Sequence, residues 1–317
     1  SPAAYSDDSS SVASSYDTPD HRRVCWGYLD TTHLTPIKAV ETSQILEYQP
    51  DLSPKMRAIL IDWIIELSDH FHFGHSTLHL ACTLVDQVLA CGSLSLDGDD
   101  SDPEDEHEFD HEYDAESKTN CFLISRDRFQ LLGATCTWLA CKMEEQAPPK
   151  VAQIAYVSDN IYSVEQIKRM ERRVCNALGF ALARQTPYPF LHEFLRASTE
   201  CTDQSCESPQ IFRNLVLYLM ELGRLPYLPL TCKPSLLTAA AVYLARATLG
   251  MVPWSPTLEF YTGYCKEDLK EVVLSIHKYH AAAEESSLKS CFTKYKQKKY
   301  RRVAMKTVPR VEDLGFH

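Results

Sequence analysis

Residues 55–73 (KMRAILIDWIIELSDHFHF) limit the possible folds more than any other stretch, because they predict a helix that is apolar around almost its whole circumference. Such a helix has to be covered on more than one side. We predict that it is the central helix of a first domain, with its own core on one side. The other side would either be covered by a second layer or be left as an open groove for a partner. The alternative is a helix that is fully buried, with no groove.

The remaining apolar periods are also helical, and no strand alternation is present, so the fold class is predicted to be all-α. The segment LLTAAAVYLA (236–245) has the same rhythm of small residues as LLGATCTWLA (131–140), which indicates a repeated helical unit. Predicted helices cover residues 38–48, 76–91, 127–145, 163–178, 187–198, 208–223, 235–249 and 266–282.

Composition excludes several classes of protein. The 10 glycines are too far apart for a dinucleotide fingerprint or a P-loop, and no nucleophile–base pair or metal-ligand spacing is present. We therefore expect no enzyme activity, no cofactor and no metal. No run approaches the length of a membrane span. The 12 cysteines include no C-x-x-C pair, and those in helical patterns predict reduced core residues: Cys82, Cys136, Cys141 and Cys175.

Charge is distributed unevenly along the chain. The net charge is −11, but residues 97–116 contain twelve Asp or Glu and no Lys or Arg, which predicts a solvated, disordered insertion over 95–120. Residues 289–306 hold eight Lys or Arg and no acid, and would form a helix end, a nuclear import signal or a solvated surface. The chain begins at Ser1 rather than Met, so we expect the natural amino terminus to lie upstream.

Two charged residues fall on apolar helical faces. Lys142 shares a face with Leu131, Trp138 and Leu139, and Glu171 lies on the stripe of Ile167, Val174 and Leu178. Because Lys and Glu are seldom buried without a partner, each is expected to have one. Either the two residues pair with each other, or they lie at the rim of an apolar patch and bind the backbone of another protein.

Several motifs resemble those of the cyclin family. The run Met56–Leu67 is similar to the opening of the cyclin box, Lys142–Glu145 resembles the family's K-x-E-E motif, and Met170–Glu171 resembles its later glutamate. Residues 255–264 are similar to the second repeat of A- and B-type mitotic cyclins. The resemblance covers roughly residues 38–305. Gln87, where the family usually has Arg, and the acidic insertion depart from the pattern.

The resemblance implies two tandem five-helix cyclin-box repeats, preceded by an N-terminal helix. It also implies an internal Arg57–Asp86 pair with a structural role. The implied divisions are a disordered tail over 1–36, an N-terminal box over 37–180 that contains the insertion, a C-terminal cyclin fold over 181–305 and a tail over 306–317.

The resemblance also implies two binding sites. In cyclins the lysine and glutamate hold main-chain groups of a kinase beside its C-helix, which gives an expected kinase-binding set of Lys142, Glu171, Met143, Ile161, Tyr162 and Phe180. Related cyclins accept Arg-x-Leu peptides of substrates or inhibitors in a groove. Its expected lining here is Met56, Ile59, Leu60, Trp63, Glu66, Arg126 and Gln130.

The expected function is therefore that of a regulatory subunit that activates a cyclin-dependent Ser/Thr kinase and recruits substrates in S or G2/M control. We expect it in nucleus and cytoplasm, without a membrane or nucleic-acid partner. The acidic insertion is predicted to attract basic substrates. The alternatives are a transcriptional cyclin and a TFIIB-like nucleic-acid-binding factor, although the latter would require a zinc ribbon and a basic face.

Overall fold

The structure is a computed structural model that describes residues 49–91, 123–199, 208–226 and 233–316. Within these ranges it contains helices and turns but no strand, which confirms the all-α prediction. The same described ranges contain no helix that is long and apolar enough to cross a membrane. The predicted helix over 38–48, the tail over 1–36 and the acidic insertion lie outside the described residues.

Five helices form the first repeat within the described ranges: α1 (Pro54–Phe71), α2 (His75–Ala90), α3 (Phe129–Glu144), α4 (Val151–Val157) and α5 (Val164–Ala177). The Ser53 hydroxyl caps α1 by accepting the Met56 N–H at 3.2 Å. Gly74 as a stop signal and Ser76 as the next cap, which the residue types alone predict, are not the residues that end and begin these helices. His72 ends α1 with a left-handed φ of 58°, and Gly74 itself precedes α2.

The helix at the centre of the first repeat is α3, which contacts α1, α2, α4 and α5. The prediction that residues 55–73 form the central helix is therefore wrong. Small side chains on α3 explain the difference, because they allow neighbouring helices to approach closely. A Cβ atom added at Gly133 would lie only 2.6 Å from Leu60 Cδ1. All four cysteines that the sequence assigned to the core are free and buried: Cys82, Cys136, Cys141 and Cys175.

The second repeat is also built around a central helix that is rich in small residues. Its helices are α6 (Leu191–Thr199), α7 (Pro209–Leu222), α8 (Pro234–Thr248), α9 (Pro256–Thr262) and α10 (Lys266–Ala282). The alanine-rich α8 contacts α6, α7 and α10, as its counterpart α3 contacts its own neighbours. The helices α4 and α9 were not predicted, since seven residues are too few to show a helical period.

A further helix, α11 (Ser290–Tyr295), returns from the second repeat to cover α1. The Asp62 carboxylate accepts the Ser290 N–H at 3.1 Å and the Ser290 hydroxyl at 2.8 Å. Two helical turns further along α1, Asp69 binds Lys299 at 3.1 Å. The basic segment 289–306 is therefore packed into the fold, and it supplies the second layer predicted for the apolar helix.

Buried charges join the two repeats. The Arg57 guanidinium makes two bonds to Asp86, at 2.8 and 3.0 Å, which confirms the predicted pair. Arg57 also donates to the carbonyl oxygens of Arg224 and Leu225, at 2.9 and 3.1 Å, just beyond α7. Arg224 completes the cluster with a 3.0 Å bond to Asp86. Arg57 of the first repeat thus fixes the segment that directly follows α7 in the second repeat.

Candidate protein-binding site

The site is built around an ion pair between two helices of the first repeat. Lys142 lies in the last turn of α3 and Glu171 in the middle of α5, and the lysine Nζ binds the glutamate Oε1. The two side chains keep 35% and 20% of their surface exposed. The two residues therefore pair with each other, as the first of the two alternatives stated, and both side chains remain partly accessible.

Exposed apolar side chains lie on the segments that flank this pair. Met143 is 48% exposed, Ile161 63% and Phe180 71%. Phe180 has a left-handed φ of 57°, an uncommon conformation for a bulky residue, directly after α5 and the turn that ends it. Tyr162 differs from the rest of the predicted set because it is buried and its hydroxyl donates to the Asp127 carbonyl at 2.8 Å. Tyr162 therefore packs beneath this surface and is not part of it, contrary to the prediction.

Two further residues were not predicted from the sequence: one on α4, which packs against α3 and α5, and one beside Lys142. Tyr156 on α4 is 71% exposed. Trp138 on α3 places its ring centroid 3.9 Å from the Lys142 Nζ. Partial burial lowers the pKa of Lys142. Tyr156 could have been predicted as a surface aromatic residue only if α4 had been recognised, and that helix is too short to show a period.

The predicted groove residues occupy a stripe on α1 and the beginning of α3. Ile59 is 50% exposed and Glu66 is exposed, whereas Met56 and Trp63 are half-buried. These four residues recur at intervals of three and four and therefore share one side of the helix. Leu60 is instead buried against Gly133.

The two polar residues of the predicted groove lie on and just before α3, which packs against α1. Gln130 is half-buried one turn before Gly133 on α3, and Arg126 is exposed in the preceding 3₁₀ turn. The stripe thus offers apolar contact from Ile59, a carboxylate from Glu66 and hydrogen-bonding side chains from the neighbouring element. A short peptide with one cation and one apolar side chain matches this combination chemically.

Family models match both repeats. The model described as "Cyclin, N-terminal domain" matches residues 25–98 and 119–183, and the model described as "Cyclin, C-terminal domain" matches residues 185–309. The gap in the first match falls within the acidic insertion, as expected for a segment that departs from the family pattern.

Curated relatives agree with these models. The chain is 34% identical to Cyclin-A2-1 of Arabidopsis thaliana over 84% of its own length and 54% of the relative's. It is 33% identical to G2/mitotic-specific cyclin-2 of Antirrhinum majus, over 83% of this chain and 52% of that one. It is 29% identical to G2/mitotic-specific cyclin-A of Hydra viridissima, over 90% of this chain and 59% of the relative. The chain thus spans about half the length of these relatives.

A solved structure has the same fold. The viral cyclin of herpesvirus saimiri superimposes with a TM-score of 0.59 at 15% sequence identity, covering 81% of this chain and 94% of that one. At this identity the similarity concerns the fold alone. The two family models together cover most of the chain and include both members of the Lys142–Glu171 pair. The chain therefore belongs to the cyclin family, and the similar relatives named above are A-type and G2/mitotic-specific cyclins.

Proposed function

We propose that this chain is a regulatory subunit that binds and activates a cyclin-dependent Ser/Thr protein kinase in cell-cycle control. Members of the cyclin family are regulatory subunits rather than enzymes, and two of the relatives named above are called G2/mitotic-specific. The observation that carries the proposal is the accessible Lys142–Glu171 pair, with exposed Met143, Ile161 and Phe180 on the segments around it.

The geometry fits a partner that presents backbone groups beside apolar side chains. In the free chain Lys142 and Glu171 satisfy each other. On binding, the ammonium would donate to carbonyl oxygens of the kinase, and the carboxylate would accept its N–H groups. A protein kinase is active only when its C-helix glutamate pairs with a strand lysine and its activation loop is ordered. A partner that binds this arrangement more tightly than the inactive one increases its population.

The double variant Lys142→Ala, Glu171→Ala tests this proposal. We expect it to lose kinase activation and to bind a cyclin-dependent kinase catalytic subunit at least about tenfold more weakly, because charge-assisted contacts of this kind each contribute about 1.5–3 kcal/mol. Its stability should change by less than about 1 kcal/mol, since both charges are removed together from a partly exposed site. Kinase assays and thermal unfolding of the purified variant measure the two effects.

The matched control is Glu193→Ala, Arg196→Ala, which removes a surface ion pair of 3.8 Å on α6. This control should bind and activate the kinase like the wild type. Full activation by the Lys142→Ala, Glu171→Ala variant would disprove the proposed docking site.

We also propose that the stripe on α1 accepts Arg-x-Leu-type peptides of substrates or inhibitors. The Glu66 carboxylate would bind the peptide's guanidinium, and Ile59 would contact its leucine. Glu66→Gln should weaken binding of such a peptide by about tenfold at low salt and by less at high salt, because salt screens an exposed ion pair. Titration of a labelled peptide at two salt concentrations measures this effect. Glu165→Gln on α5 is the control, and equal affinities of the two variants would contradict the proposal.

The alternatives have less support. A TFIIB-like nucleic-acid-binding factor is not favoured, because the relatives named above are cyclins and the basic segment 289–306 is folded against α1. A transcriptional cyclin is not favoured by relatives that are A-type and G2/mitotic-specific. We propose a location in nucleus and cytoplasm, with kinase and peptides as partners and without nucleic acid or membrane.

A further inference from the structure

Trp138 lies one helical turn before Lys142 on α3, on the same side of the helix. The lysine Nζ is 3.9 Å from the centroid of the ring, within the range of a cation–π contact. The same Nζ binds the Glu171 carboxylate on α5. The ammonium is therefore held from two directions, by an aromatic face on its own helix and by an anion on the next.

The indole ring is fixed in turn. It is half-buried and packs against the core. Its Nε1–H donates to the Pro149 carbonyl at 3.1 Å, in the segment that connects α3 and α4. The ring consequently has one anchored edge and one face directed at Lys142. A lysine side chain on a partly exposed surface otherwise samples many rotamers, and ordering it on binding weakens affinity.

We infer that Trp138 is a positioning residue of the kinase-docking site, whose indole face holds the Lys142 ammonium beside Glu171 in the arrangement that a partner meets. This inference rests on the proposed function. Trp138 itself need not touch the kinase. Its contribution is to reduce the rotamer freedom that Lys142 loses on binding, so its effect on affinity depends on Lys142 being present.

A double-mutant cycle tests this dependence. The variants are Trp138→Leu, Lys142→Ala and their combination, and the measurement is the Kd for a purified cyclin-dependent kinase catalytic subunit. Trp138→Leu should weaken binding about fivefold, as expected when a cation–π contact at a partly exposed site is lost. In the Lys142→Ala background the same change should alter the Kd less than about twofold. Trp138→Phe keeps an aromatic face without Nε1–H and should restore most of the affinity.

The outcomes separate the two proposals. If Lys142→Ala leaves the Kd unchanged, the docking site and this inference are both wrong. If Lys142→Ala weakens binding but Trp138→Leu does not, or does so equally in both backgrounds, only the positioning role is wrong.

A measurement on the wild-type chain tests the inference even if the Trp138→Leu variant does not fold. The ε-methylene protons of Lys142 should show an upfield NMR shift from the indole ring current, and the exposed Lys270 on α10 in the second repeat is the reference. Absence of that shift in the wild-type chain would overturn the inference.

Discussion

Replacing Glu221 by glutamine should lower the free energy of unfolding by about 3–5 kcal/mol, the range found when one partner of a buried ion pair is removed. Glu221 lies in the last turn of α7 and has no exposed surface. Its carboxylate accepts the Lys294 ammonium at 2.7 and 3.0 Å and the Tyr295 hydroxyl at 2.7 Å, and it lies 3.2 Å from His75 Nδ1. Glutamine would leave the buried Lys294 charge without a counter-ion.

The pH dependence of stability gives the same variant a second readout. Although burial alone would raise the pKa of Glu221, Lys294 and the other donors lower it from 4.5 to about 2. The unfolded chain therefore takes up this proton at a higher pH than the folded chain does. The stabilisation is fully present above pH 4.5 and is lost as the pH falls towards 2. The variant should lack this component of the acid sensitivity.

Urea denaturation at pH 7 and at about pH 3, which lies inside the window between the two pKa values, measures both effects. The matched control is Glu193→Gln on the exposed face of α6, which should change stability by less than about 1 kcal/mol. A double variant, Glu221→Leu with Lys294→Met, should lose less stability than Glu221→Gln, because no unpaired charge remains. If Glu221→Gln unfolds at the wild-type urea concentration, the carboxylate does not hold α11 in place.

The helices and the faces on which residues lie could be predicted from the sequence, because they depend on residues close together in the chain. The helical periods of α1, α3 and α5 are visible in the sequence, and the periods of α3 and α5 alone place Lys142 and Glu171 on apolar faces. The predicted contact residues Met143, Ile161 and Phe180 are exposed. Tyr162 is instead buried, with its hydroxyl bonded to the Asp127 carbonyl, a contact between residues far apart in sequence that no helical period specifies.

Long-range partners explain most of what the sequence did not show. Glu221 sits in an apolar run on α7, and nothing in that run indicates that its cation is Lys294, in a segment whose basic composition suggested solvated surface. The cover of α1 was equally hidden, since Asp62 meets Ser290 from the other end of the chain. These contacts join residues that lie 73 and 228 positions apart in the chain, and local periodicity carries no information on which distant residues meet.

Substitution of Asp86 by asparagine should be at least as damaging, with a loss of about 3–5 kcal/mol or more in the free energy of unfolding. The Asp86 carboxylate accepts two bonds from Arg57 and one from Arg224, and the two arginine side chains are only 1% and 7% exposed. Asparagine offers a single acceptor oxygen and no charge. Two guanidinium groups would then share a nearly water-free site without an anion.

The loss of structure in Asp86→Asn should be largest where the two repeats meet. Arg57 also donates to the carbonyl oxygens of Arg224 and Leu225, and repulsion between the two cations would displace the chain that follows α7. We therefore expect Asp86→Asn to be cleaved faster by protease near residues 224–226, besides unfolding at lower urea concentration. Asp69→Asn, which removes an exposed bond to Lys299, is the control and should cost less than about 1 kcal/mol. Equal stability of the two variants would mean that the Arg57 contacts to the backbone hold the junction without Asp86, and that the carboxylate is not its main constraint.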